Sequence, residues 1–439
     1  MKKLEKRWQI YLYGCAGLGI NMLNLIVGSY LCSALLIGGF EENVENWTYI
    51  NKDLVVAGMW SVFVLIAKIV DGVIDIPLST FADKLKTRWG RRRPALILGF
   101  VPMIVAYLLF LVPLNSGATI LNTIWFAVLL CIYYSMYTLT MLTYYATFSE
   151  IFVNERDRIT VSNIKSVCDV AYFVLGYALV PALVSMGMNI RIVALVFLPL
   201  SLTVLIPLFL IKEESTKNAV FAEKVKSVNF IRVFAFACKN TGFIKWMVVY
   251  AMMNMGLQLF LSGINEFFSS TGLNMTFIMA SVFMPVPLTL ILYNYITKKK
   301  GIVFGLQYCL LVFSVGMGLM IFCDMISENT GKLIYAIVCA VITSFAIGAF
   351  FSVTYSIPSQ LADEETKKTG VEVATMYFAI QGLFGGVAAG IAQGPILVAL
   401  KQNDWIHYLT IVVAIACMTA FALAFLLPKN VKDQGKEKK

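Results

Sequence analysis

Three charged residues lie within one apolar stretch of the sequence: Lys68, Asp71 and Asp75. Spacings of three and four residues place their side chains on one face of a helix. Because a charge that faces lipid is costly, we expect this face to line the interior of a helix bundle. One amine cannot neutralise two carboxylates, so a bound cation is expected to balance the rest: sodium through oxygen ligands, or a proton on a carboxyl group. The alternative is a static ion pair that holds this helix to a neighbour.

A second charged pair, Lys165 and Asp169, is spaced four residues apart and lies nearer the cytoplasmic end of its predicted helix. At this spacing the two side chains can form a local salt bridge. The alternative is a gate contact that changes during transport.

Catalytic chemistry has little support in the sequence. His407 is the only histidine, and the nine cysteines are scattered without a CxxC pair. These counts argue against metal centres, disulfide frameworks and histidine-based triads. Because there is also no nucleotide-binding loop and no soluble effector domain, we expect neither an enzyme nor a sensor. No cofactor is expected beyond a coupling ion, Na⁺ or H⁺.

The elements that must position these charges are membrane helices. The chain has 439 residues, of which 59% are hydrophobic and only 14% charged, whereas a soluble protein keeps about a quarter of its residues charged. Transmembrane strands would alternate apolar and polar residues, and the apolar runs here are continuous. The sequence therefore predicts an all-α membrane protein.

Twelve apolar runs are long enough to cross a bilayer, and we number them span 1 to span 12 in chain order. The predicted spans lie near residues 8–37, 53–81, 94–113, 120–150, 162–186, 191–211, 242–264, 275–297, 302–323, 332–357, 371–400 and 405–427. Pro285 and Pro287 are expected to break or bend span 8, and Pro77 is expected to break or bend span 2.

Positive charge is distributed unevenly between the loops. Most of the 35 lysines and arginines lie at the two termini and in alternate loops, and the opposite loops carry only Lys52, Arg191, Lys332 and Lys401. Positive loops mark the cytoplasmic side, so both termini are predicted to be cytoplasmic, in a plasma membrane. The net charge of +10 thus reflects orientation and does not indicate a nucleic-acid partner.

A polar stretch, 212–241, lies between span 6 and span 7 and is predicted to be a central cytoplasmic linker. It separates an N-terminal half (1–211) from a C-terminal half (242–428), which a short tail (429–439) follows. Six plus six spans is the layout of major facilitator transporters, in which two halves meet around a midplane site.

Uncharged polar residues recur within the spans, among them Asn254, Gln258, Gln381 and Gln393. Amide groups suit hydroxyl-rich or amphipathic solutes. They also hold membrane helices together, so for any one of them both interpretations are open.

The segment KIVDGVIDIPLSTFADKLKTRWGRRRP (68–94) resembles the signature of the glycoside-pentoside-hexuronide:cation symporters. The segments YGCAGLG (13–19), ERDR (155–158) and ADEETKKTG (362–370) resemble further signatures of that family. The resemblance implies a cation site made of Asp71, Asp75 and Thr138, which Lys68 would tune. Ile74 stands where the family has an amide, so sodium and proton both remain open as the coupling ion.

The same resemblance implies a solute pocket. The corresponding positions carry Asn21, Tyr137, Met141, Tyr145 and Gln381. Asn21 and Met141 stand where sugar-transporting members have aspartates. An aspartate can bind sugar hydroxyls through charge-assisted hydrogen bonds and methionine cannot, so a less charged pocket is expected.

The basic loop between span 2 and span 3 resembles a gating loop of this superfamily, which forms ion pairs between the halves. The implied cytoplasmic gate consists of Asp83, Arg91, Arg92 and Arg93, and the position of the Lys165–Asp169 pair near the cytoplasmic end assigns it to the same gate. Simple determination of topology by positive charge is the alternative for the arginines.

These observations predict a secondary active transporter. It would carry a sugar or glycoside-like solute together with Na⁺ or H⁺ by alternating access, acting as a monomer. One alternative is the same fold carrying an amphipathic solute such as a lysolipid, and another is uncoupled facilitation.

Overall fold

The computed structural model describes residues 7–41, 43–151, 155–211, 213–216, 240–273, 275–369 and 374–428. Every regular element in these ranges is helical. Twelve helical stretches are long and apolar enough to cross a membrane, so the predicted all-α, multi-pass membrane fold is confirmed. Most of the predicted linker, 212–241, and the whole predicted tail, 429–439, lie outside the described residues.

The twelve observed spans agree in order and number with the predicted ones. Span 1 to span 12 are Arg7–Leu35, Ala57–Asp75, Arg92–Phe110, Ile120–Thr147, Val167–Ser185, Ile190–Leu210, Thr241–Ser270, Thr276–Lys300, Ile302–Cys323, Asn329–Ile347, Tyr377–Gln402 and Ile406–Ala424.

Two helices extend past their predicted ends, and span 8 is divided. Helix Ala57–Lys84 continues beyond span 2, and helix Asn329–Thr369 continues well beyond span 10. Span 8 consists of two helices, Met275–Phe283 and Val286–Lys300, with Pro285 between them. Proline has no N–H for the helical ladder, so the predicted break in span 8 is confirmed. Pro77, in contrast, lies inside the continuous helix Ala57–Lys84, which does not break there.

The helices form two compact units. The first comprises residues 1–37 and 43–224, and we call it the N unit; the second comprises 38–42 and 225–439, and we call it the C unit. In the N unit, span 4 packs against both span 2 and span 3; in the C unit, span 7 packs against span 11 and span 12.

Span 1 and span 5 of the N unit are joined by polar contacts in constant register. Asn21 bonds to Asp169, and Ser29 bonds to Tyr177 at 2.8 Å; both pairs are 148 residues apart in sequence. A constant separation is the mark of two parallel helices that lie side by side. Buried hydrogen bonds of this kind hold membrane helices together.

Span 7 and span 11 of the C unit show the same arrangement. The pairs Trp246–Gln381, Gln258–Gln393 and Glu266–Lys401 are each separated by 135 residues. The first and fifth spans of each unit are therefore a parallel, polar-linked pair. This internal repeat is not evident in the sequence.

Span 1 and span 6 meet backbone to backbone at Gly19. A Cβ built on Gly19 would overlap the carbonyl oxygen of Leu200. The hydroxyl of Thr203 accepts a hydrogen bond from Gly19 N at 3.3 Å and donates one to the Ala16 carbonyl at 3.1 Å. Only glycine permits this approach.

We predict that Gly19→Ala destabilises the protein by about 1–3 kcal/mol, because a methyl group in a packed contact forces the backbones apart. The measurement is the apparent melting temperature in detergent. Gly58→Ala is the control, since no atom lies within 4 Å of a Cβ at that position. Equal melting temperatures for the two variants would contradict the backbone contact.

Candidate functional site

The charged face of span 2 contacts span 4. The Thr138 hydroxyl, on helix Ile120–Ile151, donates a hydrogen bond of 3.0 Å to Oδ1 of Asp71. The face that carries Asp71 is therefore turned toward protein, as its charge requires.

Lys68 does not neutralise these carboxylates by direct pairing. Its Nζ lies over the Tyr134 ring, 3.8 Å from the ring centroid, in a cation–π contact. Within the described part of the chain, no salt bridge joins Asp71 or Asp75 to a lysine or arginine. Among the described residues, the structure thus shows no static ion pair between these carboxylates and a neighbouring helix.

Asp75 lies one turn beyond Asp71 on the same helix and is partly exposed. Its carboxylate makes no hydrogen bond to another described residue. With Thr138, the two aspartates form an oxygen-rich, negatively charged group. Hard cations prefer oxygen ligands of this kind, and a proton can bind either carboxylate.

A second polar cluster joins spans 1, 4 and 5. The Tyr137 hydroxyl donates to Oδ1 of Asn21 at 2.9 Å, and Nδ2 of Asn21 donates to Oδ1 of Asp169 at 3.4 Å. Nζ of Lys165 lies 2.8 Å from Oδ2 of Asp169, and both side chains are about one third exposed. The pair predicted for the gate is thus connected to Asn21 and Tyr137, which were predicted for the solute pocket.

Tyr145 and Met141 lie beside this cluster. Nζ of Lys165 is 5.3 Å from the centroid of the Tyr145 ring. A Cβ built on Gly17 would lie 3.8 Å from both Cε of Met141 and Nδ2 of Asn21. The structure therefore brings together four of the five residues predicted for the solute pocket.

Gln381, the fifth residue predicted for the solute pocket, belongs to the C unit, where both ends of its amide are hydrogen-bonded. Oε1 accepts from the Trp246 indole at 2.8 Å, and Nε2 donates to the Thr354 carbonyl at 2.8 Å. The side chain is buried.

The basic loop is anchored by a carboxylate that the sequence did not single out. Oε2 of Glu213 accepts from the backbone N–H of Arg92 at 2.8 Å and of Arg93 at 3.4 Å, at the start of helix Arg92–Phe110. Carboxylates stabilise helix N-termini in this way. The side chains of Asp83 and of ERDR (155–158) lie outside the described residues, and the gate, including Arg91, stays a prediction.

Residues 12–405 match the family described as MFS/sugar transport protein. The chain belongs to this family of the major facilitator superfamily. It is a membrane transporter of the major facilitator type. A comparison with curated protein sequences gave no match.

Solved structures share the fold of this transporter. A point mutant of the nucleoside transporter NupG is 15% identical, with a TM-score of 0.64, and the alignment covers 96% of this chain and 98% of that one. A POT family transporter in complex with a thioalcohol-conjugated peptide is 11% identical, with a TM-score of 0.65 and 96% of each chain covered. A bacterial homologue of the iron transporter ferroportin, inward-facing, is 12% identical, with a TM-score of 0.65 and 96% and 99% covered. At these identities the likeness establishes the fold alone.

The C unit of the transporter also contains a buried ion pair that is not evident from the sequence. Nζ of Lys401 lies 3.1 Å from Oε1 of Glu266, and their side chains are 2% and 0% exposed. Lys401 also lies over the Phe40 ring, 4.8 Å from its centroid. The predicted bounds place Lys401 in a loop and end span 7 before Glu266. The signal that extends the span past Glu266 is the apolar pair Phe267 and Phe268 that follows it.

We predict that Lys401→Met lowers the free energy of unfolding by about 3–5 kcal/mol, because it leaves the buried Glu266 carboxylate without its partner. The double variant Glu266→Gln/Lys401→Met should regain most of the loss, since neither side chain is then charged. Apparent melting temperatures in detergent measure both effects, with the loop variant Lys52→Met as the control. A double variant as unstable as the single one would show that the charge is not the cause.

Proposed function

We propose that this transporter couples movement of a sugar or glycoside-like solute to a flow of Na⁺ or H⁺ by alternating access. The observation that carries the proposal is the carboxylate pair of span 2. Asp71 is bonded to Thr138, while Lys68 is directed to the Tyr134 ring. A negatively charged oxygen site within a membrane span is thus left to be neutralised by a small cation.

Consecutive residues of span 4 connect the ion cluster to the solute cluster. Thr138 bonds to Asp71, and its neighbour Tyr137 bonds to Asn21. A shift of span 4 that changes one contact therefore changes the other. Coupling follows if ion and solute favour the same position of span 4, because each then raises the affinity for the other.

The chemistry of the solute cluster suits hydroxyl-rich solutes. Asn21 and Tyr137 offer amide and hydroxyl groups, and the partly exposed Lys165–Asp169 pair adds a charged donor and a charged acceptor. A sugar hydroxyl both donates and accepts, so it can bridge such a pair. The half-exposed ring of Tyr145 provides a face for an apolar side of the sugar.

We predict that Asp71→Asn and Asp75→Asn each abolish ion-driven accumulation, because an amide cannot neutralise a bound cation. The measurement is uptake into proteoliposomes across a panel of sugars, glycosides and lysolipids under a sodium or a proton gradient. Solute exchange without a gradient should persist, which shows that the variants remain folded.

The matched control is Asp404→Asn, which removes a carboxylate in the connection between span 11 and span 12. Full accumulation in both span 2 variants would exclude the carboxylates as the coupling site. Equal solute entry with and without an ion gradient in the wild type would favour uncoupled facilitation, and uptake of lysolipids alone would favour an amphipathic solute.

We predict that Tyr137→Phe raises the half-saturating solute concentration about two- to tenfold, the equivalent of one lost hydrogen bond, and leaves the ion-to-solute ratio unchanged. Concentration-dependent uptake measures this. Tyr408→Phe removes an exposed hydroxyl and serves as the control. An unchanged half-saturating concentration would remove Tyr137 from the solute pocket.

A further inference from the structure

A group of uncharged polar side chains in the C unit joins span 7 to span 11. Nε2 of Gln393 donates to Oε1 of Gln258 at 3.1 Å and to the Ser262 hydroxyl at 2.9 Å. Gln258 and Ser262 are four residues apart and share one face of helix Thr241–Ser270. Both N–H groups of the Gln393 amide are therefore used.

The same amides keep unused hydrogen-bonding capacity. Oε1 of Gln393 and the two N–H groups of Gln258 make no hydrogen bond to any described residue. Both side chains are partly exposed, whereas Ser262 is buried. A side-chain amide has two donors and an acceptor, so the pair offers donors and an acceptor side by side.

These amides lie at a depth in the membrane where lipid cannot hydrogen-bond to them. Gln258 is near the middle of span 7, and Gln393 is near the middle of span 11. Polar groups without a partner at mid-depth are costly unless they line a hydrated cavity or meet a solute. Gln393 also lies in the π-helical segment Ala392–Ile396, a local irregularity that is frequent at functional sites.

Two neighbours on the same pair of spans differ from these amides. Gln381 is buried and both ends of its amide are bonded within the C unit. Glu266 and Lys401 are also buried and pair with each other. Only the Gln258–Gln393 pair thus combines exposure with open donors and an acceptor among these residues.

We infer that Gln258 and Gln393 form a solute subsite that binds uncharged hydroxyl groups. This inference rests on the proposed transport of a sugar-like solute and assigns part of its recognition to the C unit. Hydroxyl groups match an amide pair because they both donate and accept. A charged group would find no counter-charge in the pair, and a hydrocarbon chain would leave the amides unsatisfied.

The test is thermal stabilisation of the purified transporter by a panel of neutral methyl glycosides and by lysophosphatidylcholine. We expect at least one glycoside to raise the wild-type melting temperature with a saturable dose dependence. Gln258→Met should raise its half-saturating concentration about tenfold. Gln258→Glu should do the same, since its carboxylate still accepts from Gln393 but has no N–H to donate, and its unliganded melting temperature shows whether the variant is folded.

Gln402→Met, which removes an exposed amide at the end of span 11, is the matched control and should bind like the wild type. Wild-type glycoside binding in both Gln258 variants would overturn the subsite. Stabilisation of the wild type by lysophosphatidylcholine alone, or by no probe, would overturn it as well.

The failure of the subsite can be distinguished from the failure of the proposed function. If the Gln258 variants bind normally while Asp71→Asn loses ion-driven accumulation, the subsite is wrong and the proposed function stands. If the Gln258 variants bind weakly while Asp71→Asn keeps ion-driven accumulation, ion coupling at Asp71 is rejected and the subsite stands.

Discussion

Two carboxylates inside a membrane span need compensation that lipid cannot supply. In this transporter Thr138 gives Asp71 one hydrogen bond, and the nearby amine of Lys68 lies against the Tyr134 ring. The negative charge explains why span 2 is turned toward span 4. In the proposed mechanism, a small cation bound there would remove an electrostatic cost that the helix packing leaves in place.

Both units contain a parallel pair of spans that is joined by polar contacts of constant sequence separation. Span 1 pairs with span 5, and span 7 pairs with span 11, each through contacts of fixed sequence separation. In the N unit this pairing brings Asn21 to Asp169, beside span 4, whose consecutive residues Tyr137 and Thr138 bond to Asn21 and Asp71. In the C unit it leaves the Gln258–Gln393 pair with open donors and an acceptor, whereas Gln381 and the Glu266–Lys401 pair are buried and bonded within the unit. The contacts that hold the helices together thus also determine which polar groups remain available to a solute.

The number of spans, the protein-facing charge of span 2 and the break in span 8 could be predicted from the sequence, because hydropathy, charge and proline act locally. The pairing of Lys165–Asp169 with Asn21 could not, since spacing along one helix does not specify its neighbour. Glu266 was missed because its partner is 135 residues away. The sequence does not distinguish Gln258, Gln381 and Gln393 from one another. Only their contacts show that both ends of the Gln381 amide are hydrogen-bonded, while the Gln258–Gln393 pair keeps open donors and an acceptor.

The charge moved together with a neutral solute is the most direct measure of cation coupling. Proteoliposomes on a solid-supported membrane can be exposed to a step in solute concentration while the transient current is recorded. We predict a current carried by positive charge that moves with the solute and disappears when Asp71 and Asp75 are both replaced by asparagine. Solute entry without any current, or a current that survives the double replacement, would contradict a cation site on span 2.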